Sequence, residues 1–111
     1  MLHLMNSAMM PQEGNYECKA IATDDVQKYF AEHCKYGWRS YIGYANAARV
    51  LSSLLEMDVS ISQDETVLAD GDCCLAMRLN KRVADKTKKA GGQLGQNLEC
   101  YQFFGIAFRK E

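Results

Sequence analysis

Residues Cys73 to Leu79 form a nearly continuous apolar run, C-C-L-A-M-R-L. A short run without regular polar alternation is typical of a central strand whose two faces are both buried. Such a strand needs a neighbouring strand on each edge and other parts of the chain packed on both of its faces. The run therefore predicts a fold built around a sheet.

Four further segments are predicted to contribute strands. Alternating patterns favour strands at Leu2–Met5 and Tyr16–Ile21, and a third at Met57–Ser62 that Glu65–Leu68 extends or pairs with. The aromatic-rich segment Cys100–Phe108 is predicted to be the last strand and to lie inside the sheet.

Two segments have the apolar spacing of helices. After Thr23-Asp24-Asp25, which is predicted to supply an N-cap and first-turn acids, apolar residues recur at helical intervals to about Cys34. Residues Tyr36–Arg39 are predicted to be a connection. A second helix from Ala45 to about Glu56 carries a regular stripe formed by Ala47, Val50, Leu51, Leu54 and Leu55.

This order of elements predicts an α+β (mixed α/β) domain. It consists of a mixed five- or six-stranded sheet flanked by two main helices, without the regular β-α alternation of a dinucleotide-binding fold. The 111 residues, 48% of them hydrophobic, suffice for one core but not two. We therefore expect a single small domain over residues 1–111.

The distribution of charge argues against a partner that is a long nucleic acid. The net charge is −1 and the pI about 6.1, whereas such binders usually carry a basic face and a high pI. Six basic residues nevertheless cluster between Arg78 and Lys89, opposed by Asp85. A small anionic ligand fits this cluster, and so does a solvated basic loop beside an acidic body.

The remaining composition predicts neither a membrane segment nor a metal site. Apolar runs are short and the first residues lack the pattern of a signal peptide, so we expect a cytoplasmic protein. The five cysteines have no C-x-x-C spacing and lie in apolar stretches, which favours buried free thiols over metal ligands or disulfides. No cofactor is predicted.

Residues 40–44, S-Y-I-G-Y, stand at the start of the second helix. Gly43 would let a ligand approach the backbone, where first-turn N–H groups and the helix dipole favour an anion. Tyr41 and Tyr44 flank this point with rings that can stack on a base and hydroxyls that can donate to phosphate. The structural alternative is a turn with one core and one covering tyrosine.

Two other loops carry suitable groups. Asn6-Ser7-Ala8 follows the first strand, where ligand-facing polar groups are common. Arg82 and Asp85 follow the central strand at a spacing that places them on one face of a helix or turn, and an arginine donates two parallel bonds to phosphate. The three loops are predicted to meet at one anionic ligand.

These residues carry a resemblance to a known family. The order N-S-A, S-Y-I-G-Y, V-S-I-S, D-G-D, R-L-N-K-R-V-A-D and Y-Q-F-F, which spans nearly the whole chain, resembles the viral and bacterial type III anti-CRISPR ring-nuclease-like family. The resemblance implies a homodimer, or a higher homo-oligomer, that binds cyclic tetra-adenylate across its axis. It also implies metal-independent cleavage, in which a ribose 2′-hydroxyl attacks the neighbouring phosphate.

The resemblance assigns roles to individual positions. Asn6 and Ser7 match the N-terminal ligand loop, Arg82 matches the phosphate-binding arginine, and Asp85 stands where the family usually has glutamate. The predicted catalytic residues are Tyr44, Arg82 and Asp85. The predicted ligand-binding residues are Asn6, Ser7, Ala8, Tyr41, Ile42, Gly43, Lys81 and Lys86.

Besides Asp85, position 44 departs from the family, because Tyr44 stands where the family has its catalytic histidine. In model peptides the pKa of histidine is about 6.5 and that of tyrosine about 10, so tyrosine is much the weaker acid at neutral pH. Three hypotheses follow: sequestration of a cyclic nucleotide second messenger in the (host) cytoplasm, its slow metal-independent cleavage, or an interaction module without a nucleotide ligand. An arginine near Tyr44 would favour the phenolate, so whether the chain is an enzyme stays open.

Overall fold

The structure is a computed structural model that describes residues 1–6, 13–62, 67–79 and 101–109. Within these ranges the chain forms five strands and two α-helices. The elements, in chain order, are β1 (Leu2–Met5), β2 (Asn15–Ile21), α1 (Val26–His33), β3 (Trp38–Tyr41), α2 (Ala45–Leu55), β4 (Cys73–Leu79) and β5 (Tyr101–Arg109).

The five strands form one mixed sheet in the order β2-β5-β4-β1-β3. Strand β1 is parallel to β3 and β4, and β5 is antiparallel to β4 and β2. The predicted α+β class is confirmed, with five strands in the described residues. The apolar run at 73–79 is the middle strand, as predicted, and β5 lies inside the sheet.

Both helices pack on one face of the sheet because each carries its apolar stripe toward the same strands. Leu2 and Leu4 of β1 join Leu75 and Met77 of β4 in a cluster that also contains Val26 of α1 and four α2 side chains. The α2 members of this cluster are Ala47, Ala48, Val50 and Leu51. Burial of the α2 stripe is therefore the contact that fixes the helix over the sheet.

The opposite face of the sheet has a second, smaller apolar cluster. It contains Met5, Leu68, Cys74, Ala76, Ile106 and Phe108. Residues that alternate along β4 point to opposite faces, so Cys74 belongs to this cluster and Leu75 to the first. The predicted two-sided burial of the central strand follows from this arrangement.

The start of the first helix differs from the sequence expectation. Thr23–Asp25 form a 3₁₀ turn instead of an N-cap, and no side chain caps this turn or α1. The second helix ends at Leu55, and its C-cap residue Glu56 has a left-handed φ of 55°. No helix among the described residues is both long and apolar enough to cross a membrane.

Two strand predictions are wrong. Trp38 and Arg39, which were predicted to belong to a connection, begin strand β3. Met57–Ser62, which was predicted to be a strand, makes only an isolated parallel bridge, between Ile42 and Ile61. The hydroxyl of Ser52 accepts a bond from Val59 N–H at 2.9 Å, which turns this segment around the end of α2. Val67 and Leu68 form no strand, and positions 65 and 66 lie outside the described residues.

The cysteine prediction holds only in part. Four cysteines lie in the described residues and all are free thiols, but only Cys74 is fully buried. Cys34 and Cys73 are half-buried, and Cys18 is exposed on β2, the outermost strand of the sheet that the described residues form. Cys100 lies outside the described residues.

Candidate functional site

A pocket of about 490 Å³ lies between the end of β1, the start of α2, the end of β4 and the start of β5. Its described lining residues come from all four elements or their ends. They are Asn6, Tyr44, Ala45, Asn46, Ala47, Leu79 and Tyr101. Two of the three predicted loops thus contribute described residues to one cavity, and the third begins immediately after Leu79.

Asn6 reaches the helix mouth because β1 and β3 are parallel and in register. Met5 pairs with Tyr41, so the residues that follow each strand leave the sheet side by side. The side-chain oxygen of Asn6 accepts a hydrogen bond from the backbone N–H of Gly43 at 3.2 Å. Asn6 therefore lines the pocket and also holds the chain that leads into α2.

Tyr44 stands at the N-cap position of α2. Its backbone is extended, with φ −118° and ψ 131°, and its side chain makes no capping bond. The side chain is 69% exposed. A large aromatic ring left open at the rim of a pocket is available to stack on a planar ligand.

The start of α2 places backbone donors beside the pocket. The first backbone bond of the helix runs from the Ala48 N–H to the Tyr44 carbonyl at 3.0 Å, so the N–H groups of Ala45 and Ala47 precede the intrahelical ladder. Both residues line the pocket. No charged side chain is among the described lining residues, so an anion there would be favoured by the helix dipole and by neutral donors such as these N–H groups and the tyrosine hydroxyls.

Tyr101 is a lining residue that sequence reasoning missed. It is the first residue of β5 and pairs with Leu79, the last residue of β4, so the strand register brings both to the pocket. The aromatic content of this segment predicts a strand, and no local pattern in it marks Tyr101 as a site residue. Tyr44 and Tyr101 give the pocket two aromatic rings.

The remaining predicted site residues fall into two groups. Ile42 is completely buried in the core, and Tyr41 packs with its ring centroid 5.4 Å from that of His3 and the Arg39 guanidinium 5.8 Å from its own centroid. Neither of these residues, nor Gly43, whose N–H donates to Asn6, is among the described residues that line the pocket. The others lie outside the described residues: Ser7, Ala8, Lys81, Arg82, Asp85 and Lys86.

A second pocket, also of about 490 Å³, lies between α1 and the β2 side of the sheet. Tyr29, His33 and Cys73 line it. Burial raises the pKa of the Tyr29 hydroxyl and of the Cys73 thiol, so both stay protonated and are poor nucleophiles. No group of three metal-ligating side chains occurs in the described ranges. Its described lining also includes Glu17, Lys19 and Glu32, but none of the residues that the sequence predicted for the site.

A buried polar pair lies on the sheet face away from the helices. His3 Nε2 is 2.9 Å from an Asp72 carboxylate oxygen, and the Ala69 N–H donates to the same oxygen at 2.8 Å. Although burial opposes ionisation of Asp72, these bonds and the Met1 amino group, 3.1 Å away, lower the pKa of its carboxyl. The pair ties β1 to the turn before β4.

Comparison with known proteins adds three findings. A family model described as STIV B116-like matches residues 2–96. The uncharacterized protein ORF117 of Acidianus two-tailed virus is 29% identical over 87 residues, which cover 76% of this chain and 74% of that protein. The solved structure of B116 of Sulfolobus turreted icosahedral virus superposes with a TM-score of 0.65 at 11% identity, covering 95% of this chain and 97% of that one. At that identity the likeness to B116 concerns the fold alone.

Proposed function

This chain belongs to the STIV B116-like family, and from that premise we propose that it is an anti-defence protein that sequesters a cyclic nucleotide second messenger of a prokaryotic immune system. It acts in the host cytoplasm, where such a messenger would be made, and captures the messenger before an effector is activated. The observation that carries the proposal is the meeting of Asn6, Tyr44 and Tyr101 at one pocket on the start of α2.

The pocket supports a nucleotide ligand because it combines two kinds of contact. Tyr44 and Tyr101 supply aromatic rings, and stacking on such a ring contributes about 1–3 kcal/mol per base. The first turn of α2 supplies backbone donors for a phosphate. Arg82 and Lys81, which follow β4 within three residues of Leu79, are assigned the remaining phosphate contacts on the strength of the resemblance alone.

Sequestration is favoured over cleavage because the pocket lacks a good proton donor in the described residues. Its described lining contains no histidine and no carboxylate. General acid catalysis typically contributes about 10²–10⁴-fold, so a tyrosine in place of the family histidine removes most of that contribution. A binder needs no acid.

The alternative function is slow, metal-independent cleavage of a cyclic oligoadenylate or a related ring by Tyr44, Arg82 and Asp85. The exposure of the Tyr44 side chain at the pocket favours it, because a hydroxyl there could reach a leaving 5′-oxygen. Cleavage and sequestration predict different fates for the ligand.

The test is to incubate the protein with cyclic dinucleotides and cyclic oligoadenylates, follow the shift in melting temperature, and then heat the mixture and analyse the released ligand by mass spectrometry. Sequestration predicts a stabilised protein and an intact ligand, since a ligand at a hundred times its Kd adds about 2.7 kcal/mol. A cleaved ligand with a cyclic phosphate end would support the enzyme instead. No shift with any ring would leave an interaction module as the remaining hypothesis.

Variants at Tyr44 separate the roles of ring and hydroxyl. Tyr44→Phe keeps the ring, so a sequestering protein binds nearly as well as the wild type, whereas a tyrosine-dependent enzyme stops cleaving. Tyr44→Ala removes the ring and weakens binding by about 1–3 kcal/mol. Tyr36→Ala is the matched control, because Tyr36 is 88% exposed and does not line the pocket.

A further inference from the structure

The backbone that leads from β3 into α2 is held by hydrogen bonds on both of its sides. On the side of β1, the Gly43 N–H donates to the Asn6 side chain at 3.2 Å. On the other side, the Ser62 N–H donates to the Ile42 carbonyl at 2.9 Å. These two bonds restrain the residues that immediately precede the N-cap of α2.

The Ser40 hydroxyl adds a third restraint on the same segment. It donates to the Ser60 carbonyl and accepts from the Ile42 N–H at 3.3 Å, so one oxygen links the end of β3, residue 42 and the loop that follows α2. Ser40 is only 6% exposed and pairs in the sheet with Leu4, which lies in the apolar cluster beneath the helices. A hydroxyl in such surroundings is unfavourable unless it is hydrogen-bonded, so these two bonds explain why a serine is tolerated there.

The direction of the Tyr44 ring depends on this restrained backbone. The Tyr44 side chain makes no capping bond with α2, and it is 69% exposed at the pocket. The backbone at residues 42 and 43 therefore sets where the first turn begins and where the ring points. Groups that are held in position before a ligand arrives lose less conformational entropy when the ligand binds.

We propose that Ser40 is a positioning residue of the candidate site, whose hydroxyl holds Ile42 in place and thereby fixes the direction in which Tyr44 meets a ligand. Ser40 is not among the described residues that line the pocket, so its effect on a ligand passes through the backbone of residues 42 and 43. The inference rests on the proposed function for its ligand, and it adds the group that orders the aromatic ring of that site.

Titration calorimetry with cyclic tetra-adenylate tests the proposal. Ser40→Ala is expected to raise the Kd about tenfold, because the Ile42 N–H and the Ser60 carbonyl lose their partner and the Tyr44 ring must be ordered on binding. Ser40→Thr keeps the hydroxyl and retains the wild-type Kd. Tyr29→Phe is the matched control, because it removes another hydroxyl that donates to a backbone carbonyl, that of Cys74 at 3.2 Å, away from this segment. It lowers stability and leaves the Kd unchanged.

A double-mutant cycle shows whether Ser40 acts through the ring. In a Tyr44→Ala background, Ser40→Ala should have little further effect on the Kd, because the group that it positions is absent. A wild-type Kd in Ser40→Ala, an equal rise in Kd in Ser40→Ala and Tyr29→Phe, or additive losses in the cycle would each overturn the proposal.

Amide hydrogen exchange, measured without ligand, distinguishes failure of this proposal from failure of the proposed function. The Ile42 and Gly43 N–H groups should exchange faster in Ser40→Ala than in the wild type, and at the wild-type rate in Tyr29→Phe. Faster exchange in a protein that binds no ring would contradict the proposed function and support the role of Ser40 in ordering the start of α2. Unchanged exchange in Ser40→Ala would overturn that role, whether or not the wild type binds the ring.

Discussion

Asn6 and Gly43 lie 37 positions apart in the chain, and the amide oxygen of the first accepts a hydrogen bond from the backbone N–H of the second at 3.2 Å. This bond joins the end of β1 to the residue before the N-cap of α2. It therefore couples the central sheet to the helix end that lines the candidate pocket. Its removal should affect both stability and ligand binding.

Asn6→Ala is expected to destabilise the protein by about 1–3 kcal/mol, because the partly buried Gly43 N–H loses its acceptor. Asn6→Asp keeps an acceptor for the Gly43 N–H and most of the stability. It places a negative charge at the pocket, however, and therefore weakens the binding of an anionic ligand. Urea unfolding and ligand titration, measured on both variants, separate these effects. Equal stability of Asn6→Ala and the wild type would show that the bond contributes nothing to the fold.

Tyr44→His is expected to add cleavage to a protein that otherwise only binds. Histidine is the acid that the family resemblance places here, and such an acid contributes about 10²–10⁴-fold to a rate. Because the imidazole must be protonated to donate, cleavage should fall as the pH rises above about 6.5. Product formation from a bound cyclic oligoadenylate, followed with chelator present, is the measurement.

Tyr36→His is the control for this substitution, since it adds a histidine at an exposed position outside the pocket. Ligand that remains intact with Tyr44→His, despite demonstrated binding, would mean that the scissile bond does not lie near position 44.

Local sequence patterns were enough to predict the elements whose own side chains show how they are buried. The apolar run at Cys73–Leu79 and the stripe of α2 report burial through side chains a few positions apart, so both could be placed without knowing their partners. The pairing of β1 with β3 involves residues far apart in the chain, and no local pattern encodes it.

Strand β3 was missed for a related reason. Ser40 is polar yet buried, because its hydroxyl donates to the Ser60 carbonyl and accepts from the Ile42 N–H at 3.3 Å. Those partners satisfy it only in the folded chain. The site residues differ in the same way. Asn6 and Tyr44 could be predicted because each lies beside the end of a strand or helix in the sequence. The position of Tyr101 depends instead on the register of β4 with β5.

Gly105→Ala is expected to destabilise the protein by about 1–3 kcal/mol through overpacking. A Cβ at this position would lie 2.6 Å from Tyr29 Cε2 and 2.9 Å from Ile21 Cδ1, and the Tyr29 ring is held by a hydroxyl bond to the Cys74 carbonyl at 3.2 Å. The loss of stability caused by Gly105→Ala should be smaller in a Tyr29→Ala background, because the aromatic ring that the new Cβ would clash with is absent. Additive losses in this double-mutant cycle would contradict direct contact.

Asp72→Asn is expected to lower the free energy of unfolding at neutral pH by about 1–3 kcal/mol, because the charged acceptor of His3 Nε2 and of the Ala69 N–H is lost. The folded-state pKa of Asp72 lies below its unfolded value. Its ionisation therefore contributes stability that is fully present above about pH 4 and is lost as the pH falls through the folded pKa. Urea unfolding of the wild type and of Asp72→Asn, measured from neutral to acidic pH, should show that their difference in free energy of unfolding shrinks only at the acidic end. Asp58→Asn, at an exposed position, is the matched control, and a difference that stays constant to the lowest pH would rule out ionisation of Asp72 as its source.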